Sequence, residues 1–309
     1  MLRTGAARVL ACSAAILPLV APALRGRDAG CEASRADAAA LAPTLADSGR
    51  LFRAVPGRND DELYFFKKVG SDPAAEDYRI YRSRREQGGW TPAERVDLGG
   101  EHSDLYPTLS RDGRRLVFTS YRRTPGDSSA HPNSHLWYAE RAGDGWGTPV
   151  PLRRANEIGS YHSQPLFWGD RLIFRRTSPD WRTTVTLVSR WDGREFGTAG
   201  TFEPVERWSG LASHLRVWGG IPSPDGNTVV LEVSRVDTAT KRPGPSDLWA
   251  SVRTGSAWSE PRPLAAGVNT EAMFENFPVF SGNGCDLLFV RDFSRFYRVP
   301  LPAALAARN

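Results

Sequence analysis

Apolar and polar positions in this chain alternate in short runs, and glycine, asparagine or aspartate breaks each run. Residues 105–152 give the clearest stretch. Tyr106–Ser110 is a short apolar run, and Arg111-Asp112-Gly113-Arg114 supplies the aspartate and glycine that a tight hairpin needs. Leu116-Val117-Phe118-Thr119-Ser120 follows, β-branched or aromatic and alternating. After the polar loop Arg122–Ser134 come Leu136-Trp137-Tyr138-Ala139-Glu140, a Gly143-Asp144-Gly145 turn and an outer segment, Trp146–Leu152. This period of two, punctuated by turn residues, predicts four short antiparallel strands.

The grammar repeats. Gly89-Trp90-Thr91-Pro92, Gly145-Trp146-Gly147-Thr148-Pro149 and Trp258-Ser259-Glu260-Pro261 are spaced by 146 − 90 = 56 and 258 − 146 = 112 residues, and Phe196-Gly197-Thr198-Ala199 fills the gap. A second column holds Ile80-Tyr81, Leu136-Trp137, Leu187-Val188, Leu248-Trp249 and Phe296-Tyr297. A third holds Pro107, Pro165, Pro222 and Pro278. A four-stranded sheet cannot bury both faces alone, so units in register predict an all-β chain stacked radially as a β-propeller. The length accommodates five blades, with six as the alternative. The expected units are 51–104, 105–161, 162–218, 219–275 and 276–309, in a single propeller domain over 41–309. The last unit is short, so residues 41–50 are expected to donate its missing strand and close the ring, because an open edge invites aggregation. Pro302–Ala307 could form a short helix.

The phrase Pro107-x-x-Ser110-x-Asp112-Gly113-x-x-Leu116-x-Phe118-x-Ser120, followed by Leu136-Trp137 and Gly145-Trp146-x-x-Pro149, resembles the WD40-like β-propeller repeat of TolB and related bacterial cell-envelope proteins. Pro224-Asp225-Gly226 with Asp247-Leu248-Trp249 is similar. The resemblance covers most of residues 50–300. It departs in the third unit, where Trp168-Gly169-Asp170 replaces the Asp-Gly turn, and in a blade count of five where TolB has six. It implies a periplasmic or secreted scaffold that binds proteins, peptides or carbohydrates, without fixing a ligand.

The first residues read as an address. Arg3 and Arg8 precede an apolar stretch, Val9–Val20, and Ala21-Pro22-Ala23 offers a cleavage site, so 1–23 is expected to be a signal peptide and 24–40 a flexible leader. Periplasmic or extracellular localisation follows, with lipid attachment at Cys12 or Cys31 the weaker reading. Among 309 residues there are 40 Lys plus Arg against 35 Asp plus Glu, a net charge of +5 that falls to +3 if Arg3 and Arg8 are removed. Lysine occurs only at 67, 68 and 241, and the arginines are interleaved with acids, so no nucleic-acid partner is expected. No apolar run after the signal predicts a chain integral to the membrane. Of three cysteines, Cys31 and Cys285 remain after cleavage; they could pair in an oxidising compartment, or be unrelated thiols.

Enzyme motifs are missing from the sequence. There is no Gly-x-Ser-x-Gly, His-Glu-x-x-His, Cys-x-x-Cys or Ser-x-x-Lys. Candidate chemistry therefore sits in the segments leading into each innermost strand, where a propeller has its channel mouth. Asp104, His162 and Glu275 each stand three residues before a recurring proline, with Tyr106, Tyr161, His214 and Trp218 nearby. No cofactor is expected, although these carboxylates and imidazoles could together hold a divalent metal or act as acid and base on a sugar. Trp181, Trp191, Trp208 and Trp218 fall outside the repeating column and could face a ligand, Trp208 and Trp218 foremost. The sequence thus favours a monomeric, non-catalytic binding propeller for an envelope protein, peptide or glycan. The alternative is a carbohydrate-active enzyme, a polysaccharide lyase or glycoside hydrolase, working at the channel mouth.

Overall fold

Hairpin chemistry builds each sheet from within. In the computed structural model, which describes residues 38–42, 45, 50–57, 59–70, 77–87, 89–128, 133–265 and 267–306, Ser110 Oγ donates to Asp112 Oδ1 at 2.6 Å. The Arg114 N–H donates to the same oxygen at 3.0 Å, and the Arg115 N–H to Ser110 Oγ at 2.9 Å. Gly113 takes φ 68°, which closes the turn without a Cβ penalty. Ser223 with Asp225 and Ser281 with Asn283 repeat these bonds in two other blades.

Five antiparallel sheets result, and they form a five-bladed β-propeller. The innermost strands are Leu51–Pro56, Asp104–Leu109, Tyr161–Trp168, Leu215–Pro222 and Glu275–Phe280. The second strands are Glu62–Lys68, Arg115–Ser120, Arg171–Thr177, Thr228–Val236 and Asp286–Arg291. The third are Tyr78–Glu86, His135–Ala142, Thr184–Arg190, Pro243–Thr254 and Arg295–Pro300. Short outer pieces complete the first four blades. The Ile80, Leu136, Leu187, Leu248 and Phe296 column lies in the third strands, as its spacing predicted.

Blade 5 is completed from the other end of the chain, by Ala39–Leu41 paired antiparallel to Arg298–Phe296. The donor therefore lies upstream of the expected 41–50 and shares only Leu41 with it. Ala42 turns left-handed at φ 50° and Pro43 follows, which ends the strand at Leu41 because proline offers no N–H to a ladder. Leu301–Leu305 forms a one-turn helix after the last strand. The expected signal peptide 1–23 and most of the 24–40 leader lie outside the described residues. Among the described residues, no helix is long and apolar enough to cross a membrane.

Aromatic residues join the blades. Trp146 of blade 2 meets Tyr64 of blade 1 edge-on at 6.1 Å, with the Arg141 guanidinium 4.5 Å from its ring. Trp90 packs on the cluster of Leu63 and Phe65 with Leu288 and Phe296, between blades 1 and 5. Phe196 and Trp258 take the equivalent places between blades 2 and 3 and between blades 3 and 4. Trp208, one of the tryptophans that could have faced a ligand, is 9% exposed and packs with Phe202 and Val205 of a short helical insertion against Val229 and Leu231. The proline column needs one correction. Pro107, Pro165 and Pro278 are equivalent, but blade 4 has Gly220 at that position and Pro222 stands two residues later. A Cβ at Gly220 would lie 2.6 Å from Leu231 Cδ2 and 2.9 Å from the Val230 oxygen, so the close approach of strands excludes any side chain there.

Candidate functional site

Every innermost strand carries a register shift in its middle, which leaves two residues unpaired in blades 1, 2, 3 and 5 and one, Trp218, in blade 4. At these bulges Arg53, Tyr106, Gln164 and Phe277 have φ of 41°, 51°, 55° and 53°, and blade 4 uses Gly219 at 155°. A non-glycine residue in this region costs about 1 kcal/mol. Four such residues around one axis are a repeated device that re-aims side chains. Arg53, Gln164, Gly219 and Phe277 line a cavity of about 40 Å³, whose charged residues are Arg53, Arg175 and Glu232, with Trp218 beside them. The Tyr106 ring sits 4.7 Å from that of Phe66 and 6.0 Å from that of Phe277.

Electrostatics in this channel are those of charge removed from water. Burial pushes the Tyr106 hydroxyl up to about 12 and the Glu232 carboxyl above the usual carboxylate range. It lowers Arg53 to about 10 and also lowers Arg175, although Glu232 draws both back upward. Glu232 Oε2 accepts the Phe277 N–H at 3.1 Å. Arg53 is 4% exposed, and its Nε and Nη1 have no hydrogen-bond partner among the described residues.

The three residues expected to converge at the mouth are instead separated into three blade joints. Asp104, 5% exposed, takes a two-pronged ion pair from Arg122 (2.6 and 3.1 Å), and Arg122 Nη2 also donates to the Leu98 and Gly99 carbonyls at 3.0 Å. Glu275, fully buried, accepts from Arg291 Nε at 2.9 Å and from the Thr270 hydroxyl at 2.9 Å. Arg291 Nη2 then donates to the Gly267 and Val268 carbonyls at 2.8 and 2.9 Å. In both blades an acid at the start of the innermost strand positions an arginine that ties down the loop arriving from the preceding blade. Burial raises both carboxyls despite the arginines.

His162 takes the same position in blade 3 and is also fully buried. Its Nε2 accepts the Glu157 N–H at 3.2 Å, so neutral His162 carries its proton on Nδ1, which donates to His135 Nδ1 at 3.2 Å. Desolvation, then repulsion from His135 and Arg176, lowers His162 to about 3. Among the described residues, no three His, Cys, Asp or Glu side chains group as a metal site. Cys285 is disulfide-bonded, and Cys31, with which the sequence left pairing open, lies outside the described residues.

What the mouth does present is aromatic. Tyr161 begins the innermost strand of blade 3, and Trp181, in the adjoining hairpin, lies 4.5 Å from it with 65% of its surface exposed. Ser178-Pro179-Asp180-Trp181 repeats the turn of Ser223-Pro224-Asp225-Gly226, including the Arg182 and Thr183 N–H bonds. Trp181 thus stands at φ 59° where other turns place glycine. Ile158 is 62% exposed in the loop leading to Tyr161. In blade 4 His214 is exposed, Arg216 lies 4.0 Å from the Trp218 ring, and Trp218 Nε1 donates to Ser234 Oγ at 2.9 Å. A larger crevice of about 480 Å³, beside Asp61, Glu62, Arg84 and Arg141, holds charges that pair with one another.

Sequence reasoning missed the channel charges and the meaning of Trp181. Arg53 and Glu232 were visible as lone charges inside Leu51-Phe52-Arg53-Ala54-Val55 and Val229-Val230-Leu231-Glu232-Val233. Trp181 was visible as the one member of a Ser-Pro-Asp turn in which tryptophan replaces glycine.

No protein family matches the chain, and no curated protein matches it. Among solved structures, it is similar to a protein of Agrobacterium tumefaciens assigned as TolB, with 16% identity, 82% of this chain and 78% of that chain covered, and a TM-score of 0.46. The periplasmic gluconolactonase of Pseudomonas aeruginosa gives 13% identity over 78% of this chain and 64% of its own, with a TM-score of 0.42. The hydrazine synthase of Kuenenia stuttgartiensis gives 10% identity over 86% of this chain and 39% of its own, with a TM-score of 0.46.

Proposed function

We propose that this chain is a non-catalytic binding propeller of the cell envelope, which meets a protein, peptide or glycan partner with the face where its innermost strands begin. The observation that carries this reading is Trp181. A bulky side chain held in a left-handed turn position, most of it in solvent, adds strain without filling a core. Packed against Tyr161 with its ring tilted by 39°, it forms an aromatic platform of the kind that anchors sugar rings and partner side chains. Ile158 adds exposed apolar surface in the loop leading to Tyr161, and His214, Arg216 and Trp218 supply polar contacts in the neighbouring blade. The enzymatic alternative loses three of its four residues, because Asp104, His162 and Glu275 are buried and engaged in separate joints, which leaves His214 alone exposed.

The test compares the mature chain with its Trp181→Gly and Tyr161→Ala variants on a glycan array and against fractionated envelope proteins. A partner held by the wild type and released by both variants, at unchanged melting temperature, supports the reading. Retention of every partner by both variants moves the contact surface away from this face.

A further inference from the structure

The axial channel carries a second inference, which concerns the interior and stands whether or not a macromolecule docks on the mouth face. Two arginines, Arg53 and Arg175, line it against a single carboxylate, Glu232, so one positive charge is in excess. Glu232 already accepts a backbone N–H from Phe277, and neither arginine forms an ion pair with it within 4 Å. Arg53 is 96% buried, and two of its three guanidinium nitrogens have no partner among the described residues. Leaving a buried charged donor unmatched costs more than its hydrogen bond is worth. The bulge at φ 41° nonetheless turns this arginine to the axis.

We propose that the channel is a binding site for one carboxylate group on an apolar stem, held by Arg53 and Arg175. Three features select that chemistry. One excess positive charge matches a monoanion, whereas a doubly charged phosphate or sulfate would overshoot it. Guanidinium groups pair with planar carboxylates through parallel N–H donors. The cavity of about 40 Å³ has room for roughly three water-sized groups, which suits the carbon and two oxygens of a carboxylate, its stem lying along the apolar wall outside that space, but not a sugar ring. Leu166, Ile173, Ile221 and Phe277 provide the apolar wall for the stem. The carboxylate's source is either a small free acid or the C-terminus of a peptide.

Calorimetric titration of the purified chain with butyrate, butyramide and inorganic phosphate at constant ionic strength tests the site. Butyrate is expected to bind at one per chain, and butyramide and phosphate not to bind. Arg53→Met is expected to weaken butyrate about tenfold or more, the loss of a charge-assisted hydrogen bond. Glu232→Gln, which keeps an acceptor for the Phe277 N–H while removing the competing charge, is expected to tighten it. If Arg53→Met does not fold, the butyrate and butyramide contrast and the Glu232→Gln variant decide. A dipeptide with a free C-terminus, compared with its amide, separates the sources: tighter binding of the peptide acid than of butyrate assigns a chain terminus, and the reverse assigns a free acid. Equal binding of butyrate and butyramide, no binding of any carboxylate, or an unchanged affinity in Glu232→Gln would overturn the proposal.

Discussion

Acid should loosen the joint between blades 2 and 3, and the His135–His162 pair sets by how much. His162 has no lone pair free to take a proton without displacing a bond. Its Nε2 already accepts the Glu157 N–H, and its Nδ1 already holds the hydrogen given to His135. Protonating His135 Nδ1 instead would set two hydrogens face to face. Burial opposes either event, the Arg176 charge adds to it at His162, and Asp127 acts on His135 in the other direction. With His162 lowered from 6.5 to about 3, the sign follows from linkage: the unfolded state takes up the proton first, so stability is full above pH 6.5 and is lost as pH falls toward 3. Between pH 7 and pH 5 the loss from this histidine is about 2 kcal/mol, or roughly 4 to 8 °C in melting temperature. Buried carboxyls with raised pKa, Asp104, Glu232 and Glu275, act in the opposite sense over this window. Their contribution is common to wild type and variant and cancels in a comparison. Melting curves at both pH values for wild type and His162→Gln should therefore show the wild type losing more on acidification, by about the amount given. Parallel pH profiles for the two proteins would refute the reasoning.

Two further expectations separate structural aromatics and acids from binding ones. Trp146→Ala removes a blade joint and should cost about 3–5 kcal/mol in denaturant unfolding, whereas Trp181→Gly should stay within about 1 kcal/mol of wild type, because relief of the left-handed strain offsets the lost ring contact with Tyr161. Asp104→Ala should strand Arg122 in a buried joint and cost about 3–5 kcal/mol, read as a melting temperature lowered on the order of 10 °C; an unchanged melting temperature would return Asp104 to the list of ligand contacts.

The blades were legible because their signals are local. Ser110, Asp112 and Gly113 close their hairpin with bonds that span at most five residues, and Trp146 recurs because each outer strand must cover the seam with the blade before it. The axial alignment was less legible. Pro222 fell into the proline column by spacing alone, while blade 4 meets the demand of the bulge with Gly219 and Gly220, where strand contact leaves no space for a ring. Asp104, His162 and Glu275 were given to the mouth because they precede an innermost strand. Yet the bulge between Leu105 and Thr108 breaks the period of two, so parity counted back from Pro107 does not tell which face Asp104 takes. Their partners, His135 and Arg291 on other strands and Arg122 in the loop after one, are invisible to a linear reading.

Polar residues at the two kinds of place follow opposite rules, and that contrast separates structure from function. In the joints each charge is consumed: Asp104 by Arg122, Glu275 by Arg291, and both arginines by backbone carbonyls of the neighbouring loop. Such networks fix how one blade meets the next and leave nothing to offer a ligand. At the axis the same burial is present but the accounts stay open, since Arg53 and Arg175 face one carboxylate and Arg53 lacks partners at two nitrogens. Packing alone does not require this. Phe277 fills the equivalent bulge in blade 5 with an apolar ring, and Phe52, Phe66 and Tyr106 close that side of the channel with aromatic contacts of 4.7 to 4.9 Å. A methionine or leucine at 53 would complete the plug without desolvating a cation. The charge at the axis is therefore explained by what the channel binds, and the charges in the joints by what the fold needs.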